Sequence, residues 1–494
     1  MLFFIILSFL IGFILRIIPL FSQGFWLDEA ASFHLAYNFS PWLSFFKPPD
    51  IDNPPFYEIL LHFWIKMFGI SYYTVRLPSL IFSLGTMFMV WKIAQIFHKK
   101  LSSYILFIMA ISSFQIHYAW QARMYSLLIF LSSLSLYLFI KFVSKIFNNE
   151  KINKKEILIF SLINFLGLIT NYSFFIFLIS LGILVLFIFK KRILKVLAKY
   201  KQSFYLIIFL HFLFSLFIFT FYFLPRRHMF FNNSLWIKPP NFSSVILLVN
   251  TLANSGTDMF LNNPQLNFLS LSSFLVTGIF FLFFLTFNFP KKLKLLKQVI
   301  FTLFFIPIII AIAFSLLTQR SVFIPRFLVF SNTVFNLGLG TWFFLLWQSR
   351  KSSKNKLIKR ISYFIFLILF VLNIRNNWFL NFNSYSFYIL PDYKRAIQSL
   401  KNSITSNDRV IVFPDYAQPL FNYYWQSFDK NKIVDDNFTK TIYIYKFKDE
   451  ILAEDYWRSR SKQIIVDVVD FCQQKKFDQL YLGEMIEILQ CKVD

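Results

Sequence analysis

The sequence is poor in charge and in glycine. Of its 494 residues, 15% are charged and 11 are Gly. A soluble globular chain carries about 25% charged residues, so a set of cytosolic domains is excluded, and intrinsic disorder with it. Only Gly338 and Gly340 lie close together, and they sit inside an apolar run, which leaves no glycine-rich loop of the dinucleotide or Walker type. Cysteine is scarcer still: Cys472 and Cys491 alone cannot staple a disulfide scaffold. The six His form no H-x-x-H or H-E-x-x-H pattern, and there is neither a G-x-S-x-G elbow nor a Cys–His pairing. Acidic residues are in deficit, 24 against 50 Lys and Arg, for a net charge of +26.

What the chain has in abundance is apolar side chains. It is 57% hydrophobic with 72 Phe, and its mean hydropathy is +0.57. A bilayer is the solvent that suits it. A spanning helix needs about 20 apolar residues, and that measure places eleven spans, near 2–21, 76–97, 102–118, 124–142, 157–171, 173–189, 203–224, 266–289, 298–317, 327–347 and 361–379. The first lacks a charged leader and an Ala-x-Ala cleavage site, so it reads as a retained helix. Basic residues explain the charge balance. The connections His98–Lys100, Lys141–Lys155, Lys190–Lys201, Lys291–Lys297 and Arg350–Arg360 hold 23 of the 50 Lys and Arg, at every second connection. The positive-inside rule puts these in the cytoplasm with the N-terminus. The stretches 21–75, 119–123, around Asn171, 225–265 and 318–326 then face outward, as does the tail from about 380.

Past residue 380 the composition changes. A helix near 392–402, a β-branched strand at Arg409–Phe413 and a second strand candidate at Gln463–Val469 read as a small α/β domain. The division is a transmembrane helical domain over 1–379 and an exoplasmic domain over 380–494. Both cysteines lie in the second, as a disulfide or as two buried thiols.

Topology collects the polar residues that are candidates for chemistry on one side. Asp28 and Glu29 follow the first span. A carboxylate at a helix centre costs ~2.5–3.5 kcal/mol, so the pair belongs at the interface or in a wet cavity, as a proton acceptor or as a plain helix cap. Asp52 precedes a Pro-Pro turn, where Asp is also favoured for turn chemistry. The stretch after it is broken by Glu58, His62 and Lys66, and suits a helix lying along the membrane surface. Arg123, Arg320, Arg326 and the pair Arg226–Arg227 stand at span ends, where guanidinium forks bind phosphate or merely snorkel. His34, six residues after Asp28, is a weak candidate to join a metal site, and no metal or cofactor is expected.

The order of W-L-D-E-A, D-N-P-P-F-Y, L-H-F-W-I-K-M-F-G, V-R-L-P-S-L, Q-A-R-M-Y-S-L and I-P-R-F-L-V-F resembles the membrane glycosyltransferases of the C-type superfamily. More narrowly, it is similar to family 39, the protein O-mannosyltransferases and lipid A aminoarabinose transferases. The resemblance implies transfer of a sugar from a polyprenyl-phosphate carrier to a lipid, glycan or protein acceptor on the exoplasmic face of the plasma membrane. It implies Asp28 as catalytic base with Glu29 as its partner, Asp52 as a second acidic position, and Arg123 and Arg326 near the lipid phosphate. Arg320 and Tyr125 join that substrate set. Two positions depart from the pattern: Asn53 stands where relatives usually carry His or Lys, and Gln121 where Glu is common. A lipid or polysaccharide transporter and an inactive member serving as a scaffold are the alternatives. Transporters usually place charges at mid-membrane and show two related halves, neither of which is visible in this sequence.

Overall fold

In lipid a helix is the open-ended structure that pairs its own backbone groups, so apolar runs of span length fold as helices. The computed structural model describes residues 1–22, 27–38, 40–46, 53–71, 73–190, 192–226, 239–254, 268–287, 289–318, 321–348, 356–377, 397–400, 402–404, 409–413, 441–447, 478–482 and 486–492. Helices α1 (Leu2–Ser22), α2 (Leu27–Asn38), α3 (Pro41–Phe46) and α4 (Phe56–Phe68) lead into α5 (Leu77–Phe97). Next come α6 (Lys99–Ile111), α7 (Ser113–Ala119), α8 (Tyr125–Phe147), α9 (Lys154–Leu168) and α10 (Phe174–Phe189). The series continues with α11 (Ile193–Lys199), α12 (Lys201–Ile218), α13 (Phe242–Asn254) and α14 (Phe268–Thr286). It closes with α15 (Lys294–Thr318), α16 (Val329–Gln348) and α17 (Lys356–Asn377). Among the described residues, six helices are long and apolar enough to cross a membrane, or up to eight if each bent pair is one span. The chain is a multi-pass membrane protein.

It divides into two units: Met1–Ser22 with Ala36–Asn383, and Gln23–Leu35 with Ser384–Asp494. In the first, α16 is the central helix, with 94% of its span window buried. It packs on α6 and α15. Small residues make that approach possible: a Cβ on Gly340 would lie 2.8 Å from the Ile105 Cα of α6. Lipid tails are as apolar as Leu, so close packing of this kind, with polar contacts, holds membrane helices together.

The span expected over 102–118 is not one helix. It is α6 and α7, bent by 59°. The sequence there has neither Pro nor Gly, and the cause lies elsewhere in the chain. Ser112 is extended, at φ −63° and ψ 113°. The orphan carbonyls at the end of α6 are taken by Arg16 of α1, which donates to Met109 O at 2.9 Å and Ala110 O at 2.8 Å. On the far side of the break, the Ser113 N–H donates to Asn373 Oδ1 at 3.1 Å. Two expected loops also contain helices, α11 within 190–201 and α13 within 225–265. The stretch expected to lie along the membrane surface folds as helix α4. Tyr57, Leu61 and Ile65 are buried on one face while Phe63 and Met67 are exposed.

Contacts at the two ends of α8 show which connections share a side of the first unit. At its start, Asn171 Nδ2 donates to Asn53 Oδ1 at 3.0 Å and Phe56 N–H to Ile169 O at 3.1 Å. Tyr57 and Ser79 hydroxyls meet at 3.1 Å, and Ser79 Oγ reaches Arg123 O at 3.4 Å. At its finish, Lys145 Nζ bridges both Glu156 oxygens at 2.7 Å. Lys199 Nζ donates to Asn149 Oδ1 at 2.7 Å, and Tyr200 OH to Glu150 O at 3.1 Å. Along α8 the two sets are about 34 Å apart, at 1.5 Å per residue.

The second unit contains the start of α2 and a four-stranded sheet of β1 (Arg409–Phe413), β2 (Thr441–Phe447), β3 (Asp478–Leu482) and β4 (Ile486–Lys492), in the order β1-β2-β4-β3. β1 is the strand expected from the sequence. It pairs parallel with β2, whereas β2–β4 and β3–β4 are antiparallel. Of the helix expected near 392–402, positions 397–400 are described as helical, with Ile397 and Leu400 fully buried. The strand expected at Gln463–Val469 lies outside the described residues, as does Cys472. Cys491 stands opposite Ile442 in the β2–β4 pair.

Candidate functional site

The turn between α7 and α8 carries Arg123 and is held from within. The Arg123 N–H donates to Gln121 O at 2.8 Å, and Ser126 Oγ donates back to Tyr118 O at 2.6 Å. The turn is also buried: Trp120 and Ala122 are inaccessible, and Arg123 is 6% exposed. A guanidinium in such a place needs aromatic or hydrogen-bonding surroundings. The Arg123 group lies over the Tyr125 ring, 5.9 Å from its centroid, a geometry in which the ring face attracts the cation.

From Tyr125 the aromatic surface continues. Its ring contacts Tyr118 at 4.9 Å. Tyr118 in turn contacts His117 at 5.2 Å, and His117 contacts Trp120 at 5.5 Å. Two further arginines reach this surface. Arg76, fully buried at the start of α5, lies over the Trp120 ring at 5.3 Å. Arg326, half-buried in the 3-10 turn Pro325–Phe327, acts electrostatically on the Tyr118 hydroxyl. Arg123 and Tyr125 are thus brought together, and Arg326, from a connection far along the chain, lies within electrostatic range of Tyr118. Arg76 had no role assigned from the sequence. The signals for it were its place at the head of a span and in the V-R-L-P-S-L motif, which by itself named no role.

Gln121, one of the two departures, has a partner here. Its amide N–H can only donate, so His117 Nε2 accepts, at 2.8 Å. A Glu in its place would reverse the direction and require a proton on that nitrogen. Asn53, the other departure, joins the Pro-Pro turn to the α9–α10 connection through Asn171.

Asp28 and Glu29 occupy the first turn of α2 and belong to the second unit. Acidic side chains there suit the positive end of the helix. Asp28 is 9% exposed and Glu29 fully buried. Later in the same helix, burial lowers the pKa of His34 and favours its neutral form. Among the described residues no three His, Cys, Asp or Glu gather as a metal site would require. Asp52, Arg320 and Arg227 lie outside the described residues.

No family model matches the chain, and no curated protein matches it in sequence. Solved structures do. The chain is similar to ArnT from Cupriavidus metallidurans in the apo state, at a TM-score of 0.55 and 10% identity, over 99% of this chain and 97% of that one. It is similar to the same protein bound to undecaprenyl phosphate at a TM-score of 0.53 and 9% identity, over the same shares. The archaeal oligosaccharyltransferase AglB from Archaeoglobus fulgidus, in complex with an inhibitory peptide and a dolichol-phosphate, aligns at a TM-score of 0.46 and 13% identity, over 89% of this chain and 61% of that one. The chain shares the overall fold of ArnT.

Proposed function

We propose that this protein transfers a sugar from a polyprenyl-phosphate carrier to an acceptor on the exoplasmic face of the plasma membrane. The observation that carries the reading is the Arg123 guanidinium over the Tyr125 ring of the Tyr118–Tyr125 pair, with Arg326 within electrostatic range of Tyr118. The covering of one end of α8 with basic connections supports the orientation, with that end cytoplasmic and the arginine end outside. Residues 1–379 would carry donor binding, and 380–494 would form the exoplasmic domain.

The chemistry follows from the donor. The acceptor oxygen attacks the anomeric carbon, and the bond from that carbon to the phosphate oxygen breaks with its electron pair leaving on phosphate. A phosphodiester with one negative charge becomes a monoester with two, so fixed cations are worth more in the transition state than before it. Arg123 and Arg326 take that role, with Arg320 and Tyr125 beside them. The acceptor proton goes to a carboxylate. Asp28 is assigned that role, with Glu29 as its partner and Asp52 as the second acidic position. A single direct displacement inverts the anomeric centre. The leaving phosphate is neutralised by guanidinium, so the scheme includes no metal.

Membranes containing the full chain, supplied with a radiolabelled polyprenyl-phosphate sugar, test the reading. Transfer by wild type and its loss in Asp28→Asn at equal expression are expected. Undiminished transfer in that variant would remove Asp28 as base, and no transfer by wild type from any such donor would remove the enzyme reading.

A further inference from the structure

A site built from two arginines of distant connections works only if their spacing is fixed, and α7 is poorly equipped to fix it. It has seven residues, too few to be held by its own helix, and it follows a 59° break. What holds it is a buried amide cluster formed by Gln115 of α7 with Asn332 and Asn336 of α16. Asn332, fully buried in the first turns of α16, is its centre. Its Oδ1 accepts from Gln115 Nε2 at 2.9 Å and from Asn336 Nδ2 at 2.9 Å, and its Nδ2 donates to Leu252 O of α13 at 2.8 Å. Gln115 gives its second N–H to Thr333 Oγ1 at 3.2 Å.

The positions on the chain give these bonds a direction. Gln115 stands one helical turn before Tyr118 on α7, and α7 leads straight into the Arg123 turn. Asn332 stands one turn past Leu328, which closes the 3-10 turn of Arg326. The Gln115–Asn332 hydrogen bond therefore ties the element that carries Arg123 to the element that carries Arg326. An amide pair suits this better than an apolar contact, because in an apolar interior only one register pairs both groups, and slipping leaves each unpaired at high cost.

We propose that Asn332, through Gln115, is the positioning residue that sets the separation of Arg123 and Arg326, and so the affinity of the site for a lipid-linked phosphate. This rests on the phosphate role proposed above for the two arginines. It predicts coupling: once the tie is cut, Arg326 no longer adds its full share to phosphate binding.

The test is undecaprenyl phosphate binding to the purified full chain in nanodiscs, measured for wild type, Asn332→Ala, Arg326→Ala and the double variant. Asn332→Ala is expected to weaken binding about tenfold, the scale of one lost hydrogen bond's worth of placement. In the double variant the loss is expected to equal that of Arg326→Ala alone. Asn336→Ala is the control. It removes amide bonds from the same cluster while leaving the Gln115–Asn332 tie, so it should lower the thermal midpoint comparably and leave affinity within about twofold. If Asn332→Ala does not fold, Gln115→Met cuts the tie from the α7 side and carries the same expectations. Wild-type binding with additive losses, or with unchanged affinity in the tie variants, overturns the positioning role alone. Absence of wild-type binding overturns the phosphate reading beneath it.

Discussion

Arg16 donates its Nη1 hydrogen to the carbonyl oxygen of Ala110 at 2.8 Å, although the two residues are 94 positions apart. The same guanidinium bonds Met109 O at 2.9 Å, Gly12 O at 3.0 Å and Ser83 Oγ at 2.9 Å. A helix that stops inside an apolar body leaves its last four carbonyls without partners. One fully buried side chain supplies two of them here, which lets α6 end and α7 turn toward the arginine cluster.

Replacing Arg16 should therefore act on the fold of α6–α7 before it acts on chemistry. Arg16→Met fills similar volume but orphans two buried carbonyls, at about 1–3 kcal/mol for each group left unpaired. A marked drop in thermal midpoint in detergent is expected, with Arg16→Lys intermediate because an ammonium lacks the planar fork that reaches both oxygens. Equal midpoints for wild type and Arg16→Met would show that the carbonyls find other partners.

The close approach of α16 to α6 makes a second prediction. A methyl group at Gly340 would meet Ile105 backbone atoms at 2.8 and 3.1 Å, so the helices must part rather than a side chain rotate. Gly340→Ala should cost on the order of 1–3 kcal/mol, the usual range for overpacking, and Gly340→Val more. Gly278 has nothing within 4 Å of the same added carbon, so Gly278→Ala should leave the midpoint close to wild type. Parallel melting curves of the three variants check this.

Where the sequence spoke clearly, one physical rule dominated. Length and hydropathy place α1, α5, α8 and α16 within a few residues, because a bilayer demands it of any chain. The helix at α4 was legible from its amphipathic pattern, and β1 from its β-branched run. The break at Ser112 was not, because nothing local causes it. Its partners are Arg16, Asn373 and Asn336, each from a different helix. Of the candidate site, Arg123 and Arg326 could be picked out as arginines at span ends. The part played by Arg76 and the amide tie at Asn332 could not, since a lone buried Arg or Asn in an apolar run looks the same whether it closes a helix end, sets a spacing or binds a ligand.

At the basic end, Lys145 and Glu156 form an ion pair with side chains 26% and 34% exposed. The Lys145 hydrogen bond holds the Glu156 carboxyl below the usual carboxylate range. Its stabilisation is therefore complete above the unfolded value, about 4.3, and is lost as pH falls through the folded value. Solvent screening limits it to about 0.2–1 kcal/mol. Glu156→Gln keeps an acceptor for the Asn153 N–H of the α9 capping box while removing the charge. The fall in thermal midpoint between pH 7 and pH 4 should be slightly smaller in Glu156→Gln than in wild type. Identical falls would assign the pair no share in acid stability.

Arg326 gives the cleanest separation of phosphate binding from folding, because it is half-buried on a short turn whereas Arg123 is packed inside one. A charge-assisted hydrogen bond is worth about 1.5–3 kcal/mol, so Arg326→Ala should lower kcat/KM for a polyprenyl-phosphate sugar roughly ten- to a hundredfold with the melting curve unchanged. Part of that loss should fall on kcat, since the negative charge on the leaving phosphate grows during the reaction and the cation is most needed at its peak. Arg326→Lys keeps the charge and loses the fork, so it should recover part of kcat while KM stays raised. Inorganic phosphate should compete weakly with the lipid in wild type and lose that effect in Arg326→Ala. If kcat/KM in Arg326→Ala equals that of wild type, the lipid phosphate sits elsewhere and the cluster around Tyr118 is a packing device at the membrane edge.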